Sequence, residues 1–210
     1  MTKKDSNKDQ DSDNSASFFD YEYLSDERII HIGTPDSSDR GSESQITCNT
    51  AMMLLKQLTI LELQSKTAEI KINLMTYGGD SYAGMAIYDM MKACRCPISV
   101  QGIGMVMSAG AYILQGATPG RRLLSANTVV MLHDGEDSRA GHPRDMEKWG
   151  EFSSSFRSRI YNIFAENCGD ESIKSHKADW WRKKLNIDWI MWAEDAVKFN
   201  IADGITDRNF

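Results

Sequence analysis

The feature that most constrains the fold of this chain is a regular alternation between two hydrophobic periods. Short runs rich in β-branched residues and bounded by turn residues predict four strands: 28–33, 70–74, 98–104 and 128–132. Stretches with apolar residues three or four positions apart predict helices: 50–65, 83–93, 109–114 and 149–164. Because strands that alternate with helices pair in parallel through right-handed crossovers, we expect an α/β domain with a largely parallel sheet.

Composition and charge narrow the classes of protein to which the chain can belong. Hydrophobic residues make up 41% and charged residues 26%, a globular balance, and the formal net charge of -6 disfavours electrostatic binding of nucleic acid. No apolar run reaches the roughly 18 residues that cross a membrane, and no apolar leader follows the first residues. The cysteines are too scattered for a disulfide framework or a metal site, so we expect a cytoplasmic protein without metal or other cofactor.

The first 17 residues differ in composition from the rest of the chain. Only Met1 and Ala16 are apolar among them. Since such a segment buries too little surface to offset the entropy lost on ordering, we expect residues 1–17 to form a disordered tail. Residues 18–210 are then expected to form one folded domain.

Ser108 lies at a predicted junction between a strand and a helix. Small residues follow it at 109–111, so a substrate backbone could approach closely. The N-terminus of a helix also favours developing negative charge, which suits a serine nucleophile. Taken alone, however, a serine at such a junction is more often a helix N-cap, and that alternative stays open.

Two other predicted strands also end in residues suited to chemistry. His133 closes the apolar strand 128–132, where α/β active sites commonly lie, although a lone histidine there is more often structural. Gly78 and Gly79 follow the strand 70–74 and can expose backbone N–H groups to a carbonyl oxygen, although a tight turn also explains them. Parallel strand ends share one edge of a sheet, so we expect these residues to lie near Ser108.

Six ordered segments of the chain carry a resemblance to a known family. They are DERIIHIG at 26–33, INLMTYGG at 72–79, AGMAIYD at 83–89, GMVMSAGA at 104–111, VMLH at 130–133 and EDAVKFNIADG at 194–204. From about Asp20 to its last residue, the chain resembles the proteolytic subunits of the Clp proteases (ClpP), which are ring-forming serine peptidases of the crotonase-like superfamily.

The resemblance implies an architecture and partners. It implies a crotonase-like spiral of ββα units with a protruding handle helix near 146–167. It further implies heptameric rings stacked as a tetradecamer, a chamber that cleaves unfolded polypeptide, and an AAA+ unfoldase of the ClpX, ClpA or ClpC type. The partner would hydrolyse ATP, and this chain has no nucleotide-binding motif of its own.

The resemblance also implies site residues. Ser108 would be the nucleophile, His133 the general base and Asp188 the acid that orients it, with the backbone N–H groups of Gly79 and Ala109 forming the oxyanion hole. We expect the apolar residues 189–191 to bury Asp188 beside the histidine. The two other candidate acids are Asp134, which should point away from the imidazole of its neighbour, and Asp195, which should face solvent on a short helix.

The chain departs from the family pattern at several positions. Thr76 and Tyr77 stand where the family has Ser-Pro, Asp134 and Gly135 stand where it has Gln-Pro, and Ala109 replaces a usual Met. The stretch 170–188 is longer than usual and carries two tryptophans. These changes concern ring contacts and substrate preference more than chemistry. Two alternatives to an active peptidase are a catalytically silent subunit of a mixed Clp ring, which the intact Ser, His and Asp disfavour, and another crotonase-fold enzyme that acts on acyl-CoA thioesters, which the pairing of Ser108 with His133 disfavours.

Overall fold

A computed structural model of the protein describes residues 23–24, 26–33, 45–168 and 177–207. The expected tail 1–17 lies outside the described residues, so the domain boundary at residue 18 stays a prediction. Within the described ranges, no helix is long and apolar enough to cross a membrane.

The described residues form six helices and ten strands. The helices are α1 (Cys48–Gln64), α2 (Ser81–Ala93), α3 (Ala109–Leu114), α4 (Pro143–Asn167), α5 (Ala178–Lys184) and α6 (Ala193–Lys198). The strands are β1 (Tyr23–Leu24), β2 (Ile29–Ile32), β3 (Gln45–Ile46), β4 (Ile70–Thr76), β5 (Gly78–Gly79), β6 (Ile98–Met107), β7 (Arg122–Ser125), β8 (Val129–Leu132), β9 (Trp189–Trp192) and β10 (Gly204–Thr206). All four predicted strands and all four predicted helices are therefore present.

The main sheet confirms the predicted α/β class. Its order is β1-β2-β4-β6-β7-β10, and all pairs from β2 to β10 along this path are parallel. Strands β8 and β9 branch off this path: β8 pairs in parallel with β6, and β9 pairs antiparallel with β8. The mixed α/β architecture with parallel strands is that expected from the resemblance.

Strand β6 carries two different neighbours along its length. Its first half pairs with β7, from Val100 opposite Arg122 to Gly102 opposite Leu124. Its second half pairs with β8, from Met105 opposite Val129 onward. The sequence predicted that this strand ends at 104, but it continues to Met107 and so reaches the edge at which the candidate residues lie.

The prediction missed β1, β3, β5, β7, β9 and β10. These strands have only two to four residues each, and β7 begins with a charged residue, Arg122, so hydrophobic period gives little signal. The Arg122 guanidinium is nevertheless buried. The fold tolerates this buried charge because the guanidinium donates to Asp203, to the Gln115 side chain and to the Asn200 carbonyl oxygen. This network joins the end of α3 to β7 and to the turn before β10.

Candidate active site

Ser108 occupies a strained position between β6 and α3. Its φ is 52° and its ψ is -117°, a conformation that costs a residue with a side chain on the order of 1–3 kcal/mol. Backbone bonds hold it there: its N–H donates to Met131 O at 2.9 Å, and its carbonyl oxygen accepts from Ala111 at 3.0 Å. Ser108 stands at the N-cap position of α3, yet its side chain makes no capping hydrogen bond. Ser108 is therefore the N-cap residue by position only, and its hydroxyl is turned to another partner.

That partner is the imidazole of His133. The Ser108 Oγ lies 2.8 Å from His133 Nε2, and the Asp188 Oδ1 lies 3.1 Å from His133 Nδ1. The sheet explains the arrangement, since Ser108 follows β6, His133 follows β8 and Asp188 precedes the antiparallel β9. Three adjacent strand ends thus bring together three residues that are distant in sequence.

Asp188 is more exposed than expected. Its side chain is 61% exposed, and that of His133 is 22% exposed. The expectation that residues 189–191 bury the carboxylate is wrong, because side chains alternate across a strand. Trp189 and Met191 turn inward, while Ile190, on the same side as Asp188, is itself 63% exposed.

The two alternative carboxylates bond to other groups. Asp134 Oδ1 accepts a hydrogen bond of 2.6 Å from the Tyr161 hydroxyl, and its side chain thus points away from His133. Asp195 forms an ion pair of 2.8 Å with Lys198 on the exposed surface of α6. The acid whose carboxylate meets the imidazole is Asp188.

The glycines of β5 lie beside Ser108. Gly78 has a φ of 107°, and a Cβ placed on it would lie 2.5 Å from the Ser108 Cβ, so only glycine fits. Its N–H donates to Thr76 Oγ1. Two residues later, the Asp80 N–H donates to Ile46 O in β3.

Ala109 supplies the second candidate backbone donor. It is the first residue of α3, and the first amides of a helix have no partner within the helix. Its side chain is buried, and its backbone N–H does not depend on which side chain stands at this position. Gly79 follows the glycine that abuts Ser108, and Ala109 follows Ser108 itself, so both amides stay candidates for the oxyanion hole.

The other chemically reactive side chains are differently placed. His31 lies within β2, where burial lowers its pKa, and His142 accepts the Arg144 N–H at the start of α4. His176 lies outside the described residues. Burial raises the pKa of the Cys94 thiol to about 11, which leaves it protonated and poorly nucleophilic at neutral pH. Among the described residues no three His, Cys, Asp or Glu side chains form a metal-binding group.

Sequence reasoning missed the residues that support this site. In the sequence, Tyr161 looks like one more apolar residue on the buried face of α4. Its distinguishing feature, the hydrogen bond from its hydroxyl to Asp134, is visible only in the structure. The Asp134 N–H donates to Leu185 O at 2.8 Å, which connects the segments on either side of the site. No local pattern indicates these contacts, because they join residues at least 27 positions apart.

The geometry is suited to one kind of chemistry. A serine hydroxyl on an imidazole, with a carboxylate on the second ring nitrogen, can lose its proton as it attacks a carbonyl carbon. Amide donors beside the hydroxyl can stabilise the oxyanion that results. The arrangement is therefore typical of enzymes that transfer an acyl group through a serine.

Two comparisons find similar proteins over nearly the whole chain. The family model for Clp protease matches residues 12–209, a range that contains all the candidate residues. The ATP-dependent Clp protease proteolytic subunit of Deinococcus radiodurans is 29% identical over 188 residues. That alignment covers 90% of this chain and 84% of the relative.

Proposed function

Because the chain belongs to the Clp protease family, we propose that it is a serine endopeptidase that cleaves unfolded polypeptides inside a ring-shaped chamber. The observation that carries the proposal is the hydrogen-bonded series from Ser108 through His133 to Asp188, with distances of 2.8 and 3.1 Å. A silent subunit would have no need of a serine held in a strained conformation against a histidine.

The proposed reaction proceeds in two halves. Ser108 Oγ attacks the carbonyl carbon of the scissile peptide bond, and its proton passes to His133 Nε2. Asp188 holds the imidazole through Nδ1 and stabilises its positive charge, while the Gly79 and Ala109 amides bind the oxyanion. His133 then protonates the leaving amine, and a water activated by the same imidazole hydrolyses the acyl-enzyme.

Exposed apolar side chains near the site support an assembly. Ile187 is 72% exposed, Ile190 63% and Trp192 57%, and all three lie within four residues of Asp188 in the sequence. Several exposed apolar side chains in so short a stretch are typical of a surface that a protein partner covers. We infer that a neighbouring copy in a heptameric ring covers it, and that two rings stack as a tetradecamer. An AAA+ unfoldase would then deliver the polypeptide.

The decisive experiment compares Ser108→Ala with Ser155→Ala, an exposed serine of α4, in the purified protein. The wild type and Ser155→Ala should hydrolyse a fluorogenic peptide and react with a fluorophosphonate probe, whereas Ser108→Ala should do neither. Absence of labelling and turnover in the wild-type rings would favour the silent subunit. Hydrolysis of an acyl-CoA thioester that survives Ser108→Ala would favour the other crotonase-fold enzyme.

A further inference from the structure

A short hydrogen bond joins the residue after His133 to the long helix α4. The Tyr161 hydroxyl donates to Asp134 Oδ1 at 2.6 Å, and Tyr161 is only 4% exposed. Burial and the neighbouring carboxylate raise the pKa of Tyr161, so the phenol remains protonated and donates at neutral pH. Arg157 and Arg182 place positive charge near the pair. Bonds of this kind to a charged acceptor are stronger than those between neutral groups.

The backbone of Asp134 bonds in a second direction. Its N–H donates to Leu185 O at 2.8 Å, and Leu185 is fully buried at the end of α5. The Leu185 N–H in turn donates to Trp181 O at 2.9 Å. Leu185 precedes Asp188 by three residues. Asp134 therefore connects the segment that carries His133 to the segment that carries Asp188, and anchors both to α4.

This connection matters because the paired part of the sheet stops one residue short of both His133 and Asp188. His133 lies one position beyond the last paired residue of β8, and Asp188 lies one position before the first paired residue of β9. The Asp188 carboxylate is 61% exposed, so water competes for its bond to the imidazole. The Asp134–Leu185 bond continues the connection between the two segments beyond the last pair of the strand ladder.

We propose that Tyr161 and Asp134 are positioning residues, which hold the imidazole of His133 against Asp188 and Ser108 through the Asp134–Leu185 backbone bond. The inference rests on the proposed function, because the geometry it maintains is that of the proton transfer. Tyr161 and Asp134 touch no reacting atom. Their effect is on the alignment of the imidazole, and small misalignments of a reacting group lower the rate of chemistry more than the binding of substrate.

The test compares Tyr161→Phe with Tyr88→Phe as a matched control. The Tyr88 hydroxyl also bonds to α4, but at Asn167 rather than at a residue beside His133. Tyr161→Phe should lower kcat for a fluorogenic peptide by about tenfold to a hundredfold, with KM within about twofold of wild type. Tyr88→Phe should leave both constants near wild type. If the two variants have similar Tm values, a lower kcat in Tyr161→Phe alone reflects lost positioning rather than lost folding.

A double-mutant cycle tests whether the two residues act through their bond. Asp134→Ala should lower kcat as Tyr161→Phe does, and the double variant should be no worse than the poorer single variant. Asp134→Asn retains an oxygen that can accept from Tyr161, and should restore most of the activity lost in Asp134→Ala. Additive losses, or kcat within twofold of wild type in Tyr161→Phe, would overturn the inference.

A crystal structure of Tyr161→Phe gives a readout that does not depend on turnover. The inference requires the His133 Nδ1 to Asp188 Oδ1 distance to lengthen or the imidazole to rotate away from Ser108. An unchanged imidazole would refute the positioning role even if the peptidase assays succeed. If the wild type has no activity at all, the proposed function fails, and the position of His133 in this variant still decides the inference.

Discussion

At the scale of single residues, the site depends on one strained serine and two glycines. The positive φ of Ser108 turns its hydroxyl from the helix end toward His133, and it is stabilised by backbone bonds from β8 and within α3. Gly78 leaves room for the Ser108 Cβ at a distance at which no side chain would fit. The strain is thus local, while the contacts that maintain it come from neighbouring elements.

The first prediction at this scale concerns Asp188, the carboxylate that bonds to His133. Asp188→Asn should leave the assembly intact and lower kcat by up to about 10⁴-fold, since an amide favours the wrong imidazole tautomer. Peptide hydrolysis by purified Asp188→Asn, Asp134→Asn and Asp195→Asn measures this, and the latter two should lose far less activity. If Asp134→Asn proves the most damaging, the choice of Asp188 as the third member is wrong.

A second residue-scale prediction concerns Gly78. Gly78→Ala should displace Ser108 and abolish labelling by a fluorophosphonate, because the added Cβ would lie 2.5 Å from the Ser108 Cβ. Gly150→Ala is the control, since its Cβ would meet nothing within 4 Å on the exposed side of α4. That control should label normally and raise the free energy of unfolding by about 0.5–1 kcal/mol. Normal labelling of Gly78→Ala would contradict the packing described.

At the scale of elements, buried polar and aromatic contacts hold the end of the chain against the sheet. Arg122 of β7 is the centre of the polar contacts, with two bonds to the Asp203 carboxylate. Trp181 of α5 stacks on Phe164 of α4 with ring centroids 5.1 Å apart, and Trp189 meets Phe199 at 4.8 Å. These contacts fix β9, and therefore Asp188, relative to α4.

The Arg122–Asp203 pair predicts an acid-sensitive stability. Burial alone would raise the pKa of Asp203, but hydrogen bonds from Arg122 outweigh burial and lower it. A carboxyl whose pKa is lower in the folded state stabilises the fold above its unfolded pKa of about 3.9. That stabilisation is lost as the pH falls through the folded pKa. Urea unfolding from pH 6 down to pH 3 should show this loss in the wild type.

Variants of the pair separate its contribution from other acid effects. Asp203→Asn should remove this part of the pH dependence, and Arg122→Met should cost about 3–5 kcal/mol at pH 7 because it leaves a largely buried carboxylate without its counter-charge. The exposed Asp195–Lys198 pair is the control, and Asp195→Asn should change little. If the free energy of unfolding falls equally between pH 6 and pH 3 in the wild type and in Asp203→Asn, other carboxyl groups cause the loss of stability at low pH.

At the scale of the whole molecule, the exposed cluster at Ile187, Ile190 and Trp192 predicts association. Light scattering of the purified protein should give the mass of a ring or a double ring at micromolar concentration. Trp192→Glu should shift the protein toward smaller species, because it places a charge within the covered surface. Removal of residues 1–17 should leave assembly unchanged. A monomeric wild type would refute the inferred architecture.

The sequence by itself determined the α/β class, because hydrophobic period follows from side-chain geometry within each element. It also indicated Ser108, His133 and Gly78–Gly79 as strand-end residues, and resemblance alone pointed to Asp188. Only the tertiary structure decided that β6 serves two neighbours, that Ser108 has a positive φ and that the Asp188 carboxylate is exposed. It alone also joined Asp134 to Tyr161 and Leu185. Each of these features depends on contacts between residues far apart in the chain, and local propensity carries no information about such contacts.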